Sequence, residues 1–279
     1  MVLVLLLVLA GLTVAGVPVA RPTGEAGASG ADVEAPMPGP VAPPAALPVV
    51  PAAVAPPVLV FGDSLGAEVG PALRDDLAPR IDVRVESYPG ASLCDYLGVI
   101  ADGAVASRAA AVVLMFVGNT FSPCSHPEGR FPSDEEREAQ VLAELDRVAG
   151  QLAAARVPLL IIGEGPLPYP FALQPDLNES FRALAAQERI VGRDVIYVDA
   201  GATLAGPEGW AADLPCLPWE ATPFAGCVDG HIHVRSPDGR HLCPVDVTFP
   251  EVCPVWSSGA HRMAAAVADE LSVRIATAG

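Results

Sequence analysis

From residue 58 onward, short apolar runs alternate with longer amphipathic stretches, and this alternation constrains the chain more than any other feature. Residues 58–61, 111–117, 159–162 and 195–198 are continuous apolar runs of strand length, and 81–86 alternates apolar with charged. Runs without a polar face suit strands buried on both sides of a sheet. Residues 65–77, 174–190 and 257–275 have helical character, with Pro71 near the first turns of the first of these. Ser133-Asp-Glu-Glu136 is a capping box, after which Val141, Leu142, Leu145, Val148 and Leu152 share one helical face. Strands that alternate with helices predict an α/β domain over 58–279, a three-layer sandwich with a central parallel sheet.

The segments before that domain have a different character. Residues 2–20 are uncharged and apolar, and Arg21 follows, so 1–21 reads as a signal peptide or a retained membrane anchor. Residues 22–57 form a Pro/Ala-rich linker, with nine prolines between 36 and 57. Proline lacks an amide donor and favours extended backbone, which makes a semi-rigid spacer. An extracytoplasmic domain, secreted or attached to a membrane by its N-terminal segment, is expected.

Six cysteines, Cys94, Cys124, Cys216, Cys227, Cys243 and Cys253, agree with an oxidising compartment. Spacing suggests the pairs 94–124, 216–227 and 243–253, and no C-x-x-C pair argues for zinc instead. The formal charge is −17, and all 16 basic residues are arginine. So acidic a chain repels phosphate backbones, which argues against a nucleic-acid partner.

Two motifs carry chemistry. Phe61-Gly62-Asp63-Ser64-Leu65-Gly66 puts a serine between a buried strand and a helix start, at the sheet edge where open α/β folds bind ligands. The amide of a serine so placed points out of the helix N-terminus and favours negative charge; a plain N-cap is the alternative use of the residue. Far downstream, Asp238-Gly-Arg-His241 puts a carboxylate and an imidazole on one loop. The carboxylate can hold Nδ1–H while Nε2 takes a proton from a hydroxyl.

With these motifs the chain resembles the SGNH (GDSL-type) hydrolases. Gly62-Asp63-Ser64-Leu65 matches the family's nucleophile block, Gly90 in Ser87-Tyr-Pro-Gly90 its second block, Asn119 in Val117-Gly118-Asn119-Thr120 its third, and Asp238-x-x-His241 its last. The third block departs from the usual G-x-N-D, with glycine directly before asparagine and no acid after it. The resemblance covers about residues 58–275. It implies a catalytic triad of Ser64, Asp238 and His241, with an oxyanion hole from the amides of Ser64 and Gly90 and the Asn119 side chain. It also implies a carboxylic ester, an O-acetyl group foremost, as substrate, hydrolysed or transferred without cofactor or metal. The look of the chain is similar to exported SGNH domains associated with cell-surface acyltransferases, which makes acylated envelope glycan the preferred substrate class. A lipid ester and a non-catalytic glycan-binding module are the alternatives. An α/β-hydrolase also fits Gly62-x-Ser64-x-Gly66, but that fold has several strands before its serine and separates acid from histidine.

Other groups weigh less. His231-Ile-His233 has the spacing of a metal pair without an evident third ligand, and His126 and His261 read as surface or helix residues. A Cys94–Cys124 bridge would tie together the loops carrying Gly90 and Asn119, or serve stability alone. Trp210, Trp219, Phe224 and Trp256 are candidates for a cleft lining or for ordinary packing.

Overall fold

The computed structural model describes residues 56–126, 129–168, 177–222, 226–246 and 253–278. The expected signal or anchor segment, all but the end of the linker, and Phe224 lie outside them. Among the described residues no helix is long and apolar enough to cross a membrane.

Five parallel strands form the central sheet: β1 (Val58–Gly62), β2 (Val83–Ser87), β3 (Ala111–Met115), β4 (Leu159–Ile162) and β5 (Val195–Val198), in the order β2-β1-β3-β4-β5. Successive side chains of a strand point to opposite faces. Val58 and Val60 therefore enter one apolar cluster, with Leu65, Val69 and Leu73, while Leu59 and Phe61 enter another, with Leu145, Val148 and Leu152. The first cluster lies beneath α1 (Ser64–Leu77) and α5 (Ser258–Ala278). The second lies beneath α2 (Ile100–Ser107), α3 (Asp134–Ala155) and α4 (Asn178–Ile190). Two clusters on two faces of one sheet make the three-layer α/β sandwich that the sequence predicts.

Small residues let α1 lie close on the sheet. A Cβ on Gly66 would stand 2.6 Å from Ser87 Oγ, and one on Gly70 2.6 Å from Val85 Cγ1. At the start of α3 the capping box is formed: Ser133 Oγ accepts from the Glu136 amide at 3.2 Å, and the Ser133 amide donates to Glu136 Oε2 at 2.8 Å. The third strand is shorter than its apolar run. It ends at Met115 because the Val117 amide is diverted to the Asp63 carboxylate, at 2.8 Å. Helix α2 is additional to the elements legible in the sequence.

Beyond the sheet lie two small antiparallel pairs. One is β6 (Ala205–Gly206) with β7 (Gly209–Trp210), and the other is β8 (Asp213–Pro215) with β9 (His231–His233). Three disulfides, Cys94–Cys124, Cys216–Cys227 and Cys243–Cys253, follow the pairing that spacing suggests.

Candidate active site

Strand order determines where a site can form. After β1 the chain moves outward to β2, then returns past β1 to β3, so the connections diverge between β1 and β3. Such a switch point leaves a crevice at the carboxyl ends of the strands. Register sharpens this, since Gly62 lies opposite both Ser87 and Met115. The segments carrying Ser64, Gly90 and Asn119 therefore leave three adjacent strand ends at one level.

Asp63, not Ser64, is the N-cap of α1, and Ser64 is its first helical residue. Asp63 Oδ1 accepts from the Leu65 amide at 2.9 Å, while Oδ2 accepts from the Val117 amide at 2.8 Å and from Asn119 Nδ2 at 3.0 Å. One carboxylate thus caps the helix, ends β3 and orients the asparagine. Its complete burial raises its pKa from an ordinary 3.8 to about 6, against the opposing bonds from Val117 and Leu65.

The departure of the third block from the family pattern has a local reason. Gly118 adopts a φ of +75°, and a Cβ there would stand 2.6 Å from Leu177 Cδ1. Only glycine makes that turn without strain, and the turn delivers Asn119 to Asp63. Gly90 likewise sits at a φ of +79°, in a turn where the Ala91 amide bonds to the Tyr88 carbonyl. The two loops are joined by more than Cys94–Cys124. Ser92 Oγ donates to the Asn119 carbonyl at 2.6 Å, Ser125 Oγ to Ser92 Oγ at 2.7 Å, and Ser122 Oγ to Asp95 Oδ1 at 2.6 Å.

The histidine loop runs from Ser236 to Cys243. His241 Nδ1 lies 2.5 Å from Asp238 Oδ2. Asp238 Oδ1 also accepts from the Ser236 hydroxyl and from the amides of Arg240 and His241, the amides at 2.8 and 3.0 Å. Partial burial would raise the Asp238 pKa, but these bonds prevail and hold it below the usual carboxylate range. The loop closes on itself through the Ser236 amide and the His241 carbonyl, at 2.7 Å.

Glu68 joins this loop to α1. Both its oxygens lie 3.1 Å from the Leu242 amide, and Oε1 is also 3.1 Å from the Cys243 amide. Residues four apart share a helix face, so Glu68 stands one turn beyond Ser64 on the same side of α1. The residues following His241 are therefore tied to the helix face that carries the serine. Burial raises the Glu68 pKa, opposed by His241 and by the two amides.

Further groups brace the site. Arg235, buried at 1% exposure, donates from its guanidinium to the Arg240 carbonyl at 3.2 Å and the Pro166 carbonyl at 2.8 Å. Trp210 Nε1 donates to the Gly239 carbonyl at 2.9 Å, so this tryptophan supports the loop. Glu164, just past β4, lies 3.3 Å from Arg240 Nε. Burial lifts its pKa from 4.5 to about 7 despite that arginine. Asn178 opens α4 and bonds to both the amide and the carbonyl of Glu164. Glu68, Glu164 and Arg235 carry no motif, and nothing local in the sequence singles them out.

The remaining candidates lie elsewhere. His231 and His233 are exposed on β9, and His233 Nδ1 lies 2.9 Å from Asp213 Oδ1. Among the described residues no group of three or more His, Cys, Asp or Glu is arranged to hold a metal ion. His261 is on a helix as expected, but it is buried, stacked on Trp256 and 3.0 Å from Asp76 Oδ1. Trp219 packs edge-on against Trp256. His126 lies edge-on to Phe131.

No family model matches the chain, and no curated protein matches it. Solved structures do. The crystal structure of TesA is 18% identical with a TM-score of 0.47, over 78% of this chain and 98% of that one. A family 3 carbohydrate esterase from Clostridium thermocellum is 14% identical with a TM-score of 0.49, over 80% and 98%. A lipase/acylhydrolase from Enterococcus faecalis is 13% identical with a TM-score of 0.47, over 78% and 96%. The resemblance to the SGNH hydrolases rests on this chain's own sequence motifs and on its central parallel sheet flanked by helices.

Proposed function

We propose that the protein is an SGNH-type serine esterase or O-acyltransferase. Ser64 attacks the carbonyl carbon of a carboxylic ester while His241 Nε2 takes the hydroxyl proton. Asp238 holds Nδ1–H and stabilises the imidazolium that forms. The amides of Ser64 and Gly90 and the side chain of Asn119 receive the oxyanion. The tetrahedral intermediate collapses as the imidazolium returns its proton to the leaving alcohol, which leaves an acyl-serine. Water or a second hydroxyl then attacks the acyl group by the reverse sequence, and the serine is restored. No step calls for a metal or cofactor.

The observation that carries this reading is the Asp238–His241 pair at 2.5 Å on a loop fastened, through Glu68, to the helix face of Ser64. An acetyl ester on envelope carbohydrate is the proposed substrate, and the proposal includes export, which the disulfides support because they suit an oxidising compartment. A fluorophosphonate probe followed by peptide mapping tests the chemistry without assuming a substrate. Labelling at Ser64 is expected, with loss of both labelling and p-nitrophenyl acetate turnover in Ser64→Ala. Turnover that survives in that variant would overturn the proposal.

A further inference from the structure

We propose that Glu68 is a positioning residue that holds His241 in register with Ser64; this rests on the Ser–His–Asp reading above. The contacts of Asp238 fix the imidazole relative to its own loop, because Ser236, Arg240 and His241 all belong to that loop. They do not fix the loop relative to the serine. That task falls to anchors reaching outward, which stand on different parts of the fold. Arg235 reaches the Pro166 carbonyl, Trp210 comes from β7, and Ser257, just before α5, donates to the Leu242 carbonyl at 2.7 Å. Glu68 differs from these because it stands on the helix that begins with Ser64.

The chemistry of the contact suits alignment. Two consecutive amides converge on one carboxylate, with three donor–acceptor distances of 3.1 Å. Charge-assisted bonds of this kind are stronger and more directional than neutral ones. The amides belong to the two residues after His241, so a shift of the carboxylate is carried to the imidazole through one or two peptide units. Misplacement of a reacting group by about 1 Å costs up to about a hundredfold in rate. Glutamine at this position keeps the volume and leaves one oxygen for the two amides, but it removes the charge and sets an NH2 group against the Leu242 amide, where Oε2 accepted. Alanine leaves both amides without the carboxylate.

Steady-state kinetics on p-nitrophenyl acetate, run alongside fluorophosphonate labelling, tests the assignment in wild type, Ser64→Ala, Glu68→Gln and Glu68→Ala. The expected result is a fall in kcat of about 30-fold for Glu68→Gln, with KM within about threefold of wild type and labelling of Ser64 slowed in proportion. A merely structural role would lower the folded fraction, read by circular dichroism, without lowering kcat per folded molecule. If Glu68→Ala does not fold, Glu68→Gln, which preserves volume, decides. If neither folds, amide exchange in wild type decides: slow exchange at Leu242 and Cys243 supports the tether, and exchange at the rate of exposed loops overturns it. Turnover per folded variant within about twofold of wild type would also overturn it. Failure of wild type to label at Ser64 would overturn the esterase reading itself, and the role of Glu68 with it.

Discussion

Asn119 Nδ2 donates to Asp63 Oδ2 at 3.0 Å, so the residue that caps the serine helix also aims the asparagine. An amide nitrogen has two hydrogens. With one committed to Asp63, the other has a defined direction. Asn119→Ala is expected to lower kcat on an acetate ester by about a hundredfold to a thousandfold, the usual loss for one oxyanion donor. Asp63→Ala should approach that loss while also removing the helix cap, which costs about 1–2 kcal/mol of stability. The double variant should be scarcely slower than the worse single one, since both act on one amide. Additive losses would show that Asp63 acts through something other than Asn119.

Two buried carboxyls give the fold an unusual dependence on pH. Asp63 is raised to about 6 and Glu164 to about 7, both chiefly by burial. In the unfolded chain such groups release their protons near pH 4. Between pH 4 and 7 the folded protein therefore holds more protons than the unfolded one, and stability falls as pH rises. For Asp63 alone the shift amounts to about 3 kcal/mol across that window. Asp238, held below its ordinary range, acts in the opposite sense and costs stability only as pH drops below about 4. The thermal midpoint should fall between pH 5 and 8, and fall less steeply in Asp63→Asn. A midpoint that climbs through that interval would contradict the assignment of these carboxyls.

The Cys94–Cys124 bridge is expected to serve stability more than catalysis. It closes a loop of sequence separation 30, for which chain-entropy estimates give about 3–4 kcal/mol. The loops it joins are also held by Ser92 on the Asn119 carbonyl and by Ser125 on Ser92. Replacement of both cysteines by serine should lower the denaturation midpoint and leave kcat within about fivefold of wild type at temperatures where the variant is folded. A hundredfold loss of kcat in a folded variant would instead make the disulfide part of the oxyanion geometry.

The strands, the main helices and the disulfide pairs were legible from apolar runs, helical periodicity and cysteine spacing. A buried strand such as 159–162 is an uninterrupted apolar run, and the Ser133 capping box is written in four consecutive residues. The supporting groups were not legible because their partners are remote. Glu68 meets residues 174 and 175 positions away, and Arg235 meets Pro166 across 69. Nothing near a glutamate on an amphipathic helix distinguishes a tether from a solvated side chain. Asp63 was visible as a motif letter, yet its bonds to Val117 and Asn119 depend on β3 lying beside β1. Helix α2 was missed for a related reason. Its eight residues include Gly103, and its burial rests on Ile100 and Ala104, too few for a periodic pattern.

The ion pair of Arg262 and Glu220 carries the last expectation. Arg262 Nε lies 2.8 Å from Glu220 Oε1, and a terminal nitrogen lies 2.6 Å from Oε2, with both side chains almost wholly buried. Burial alone would raise the Glu220 pKa, but the arginine and the Leu217 amide prevail and lower it. The same guanidinium reaches the Pro215 carbonyl at 2.6 Å, so it fastens the segment around the Cys216–Cys227 bridge to α5. Removal of one partner strands a buried charge, which costs about 3–5 kcal/mol, whereas exchange of both for apolar residues of like volume is often close to neutral. Arg262→Ala should therefore shift urea unfolding by about that amount, and Arg262→Met with Glu220→Leu should recover much of it. Turnover per folded molecule should be unchanged in either case, because neither side chain touches the histidine loop in any described hydrogen bond. Equal destabilisation by the single and double replacements would mean that the pair itself, rather than the avoidance of a lone buried charge, stabilises this part of the fold.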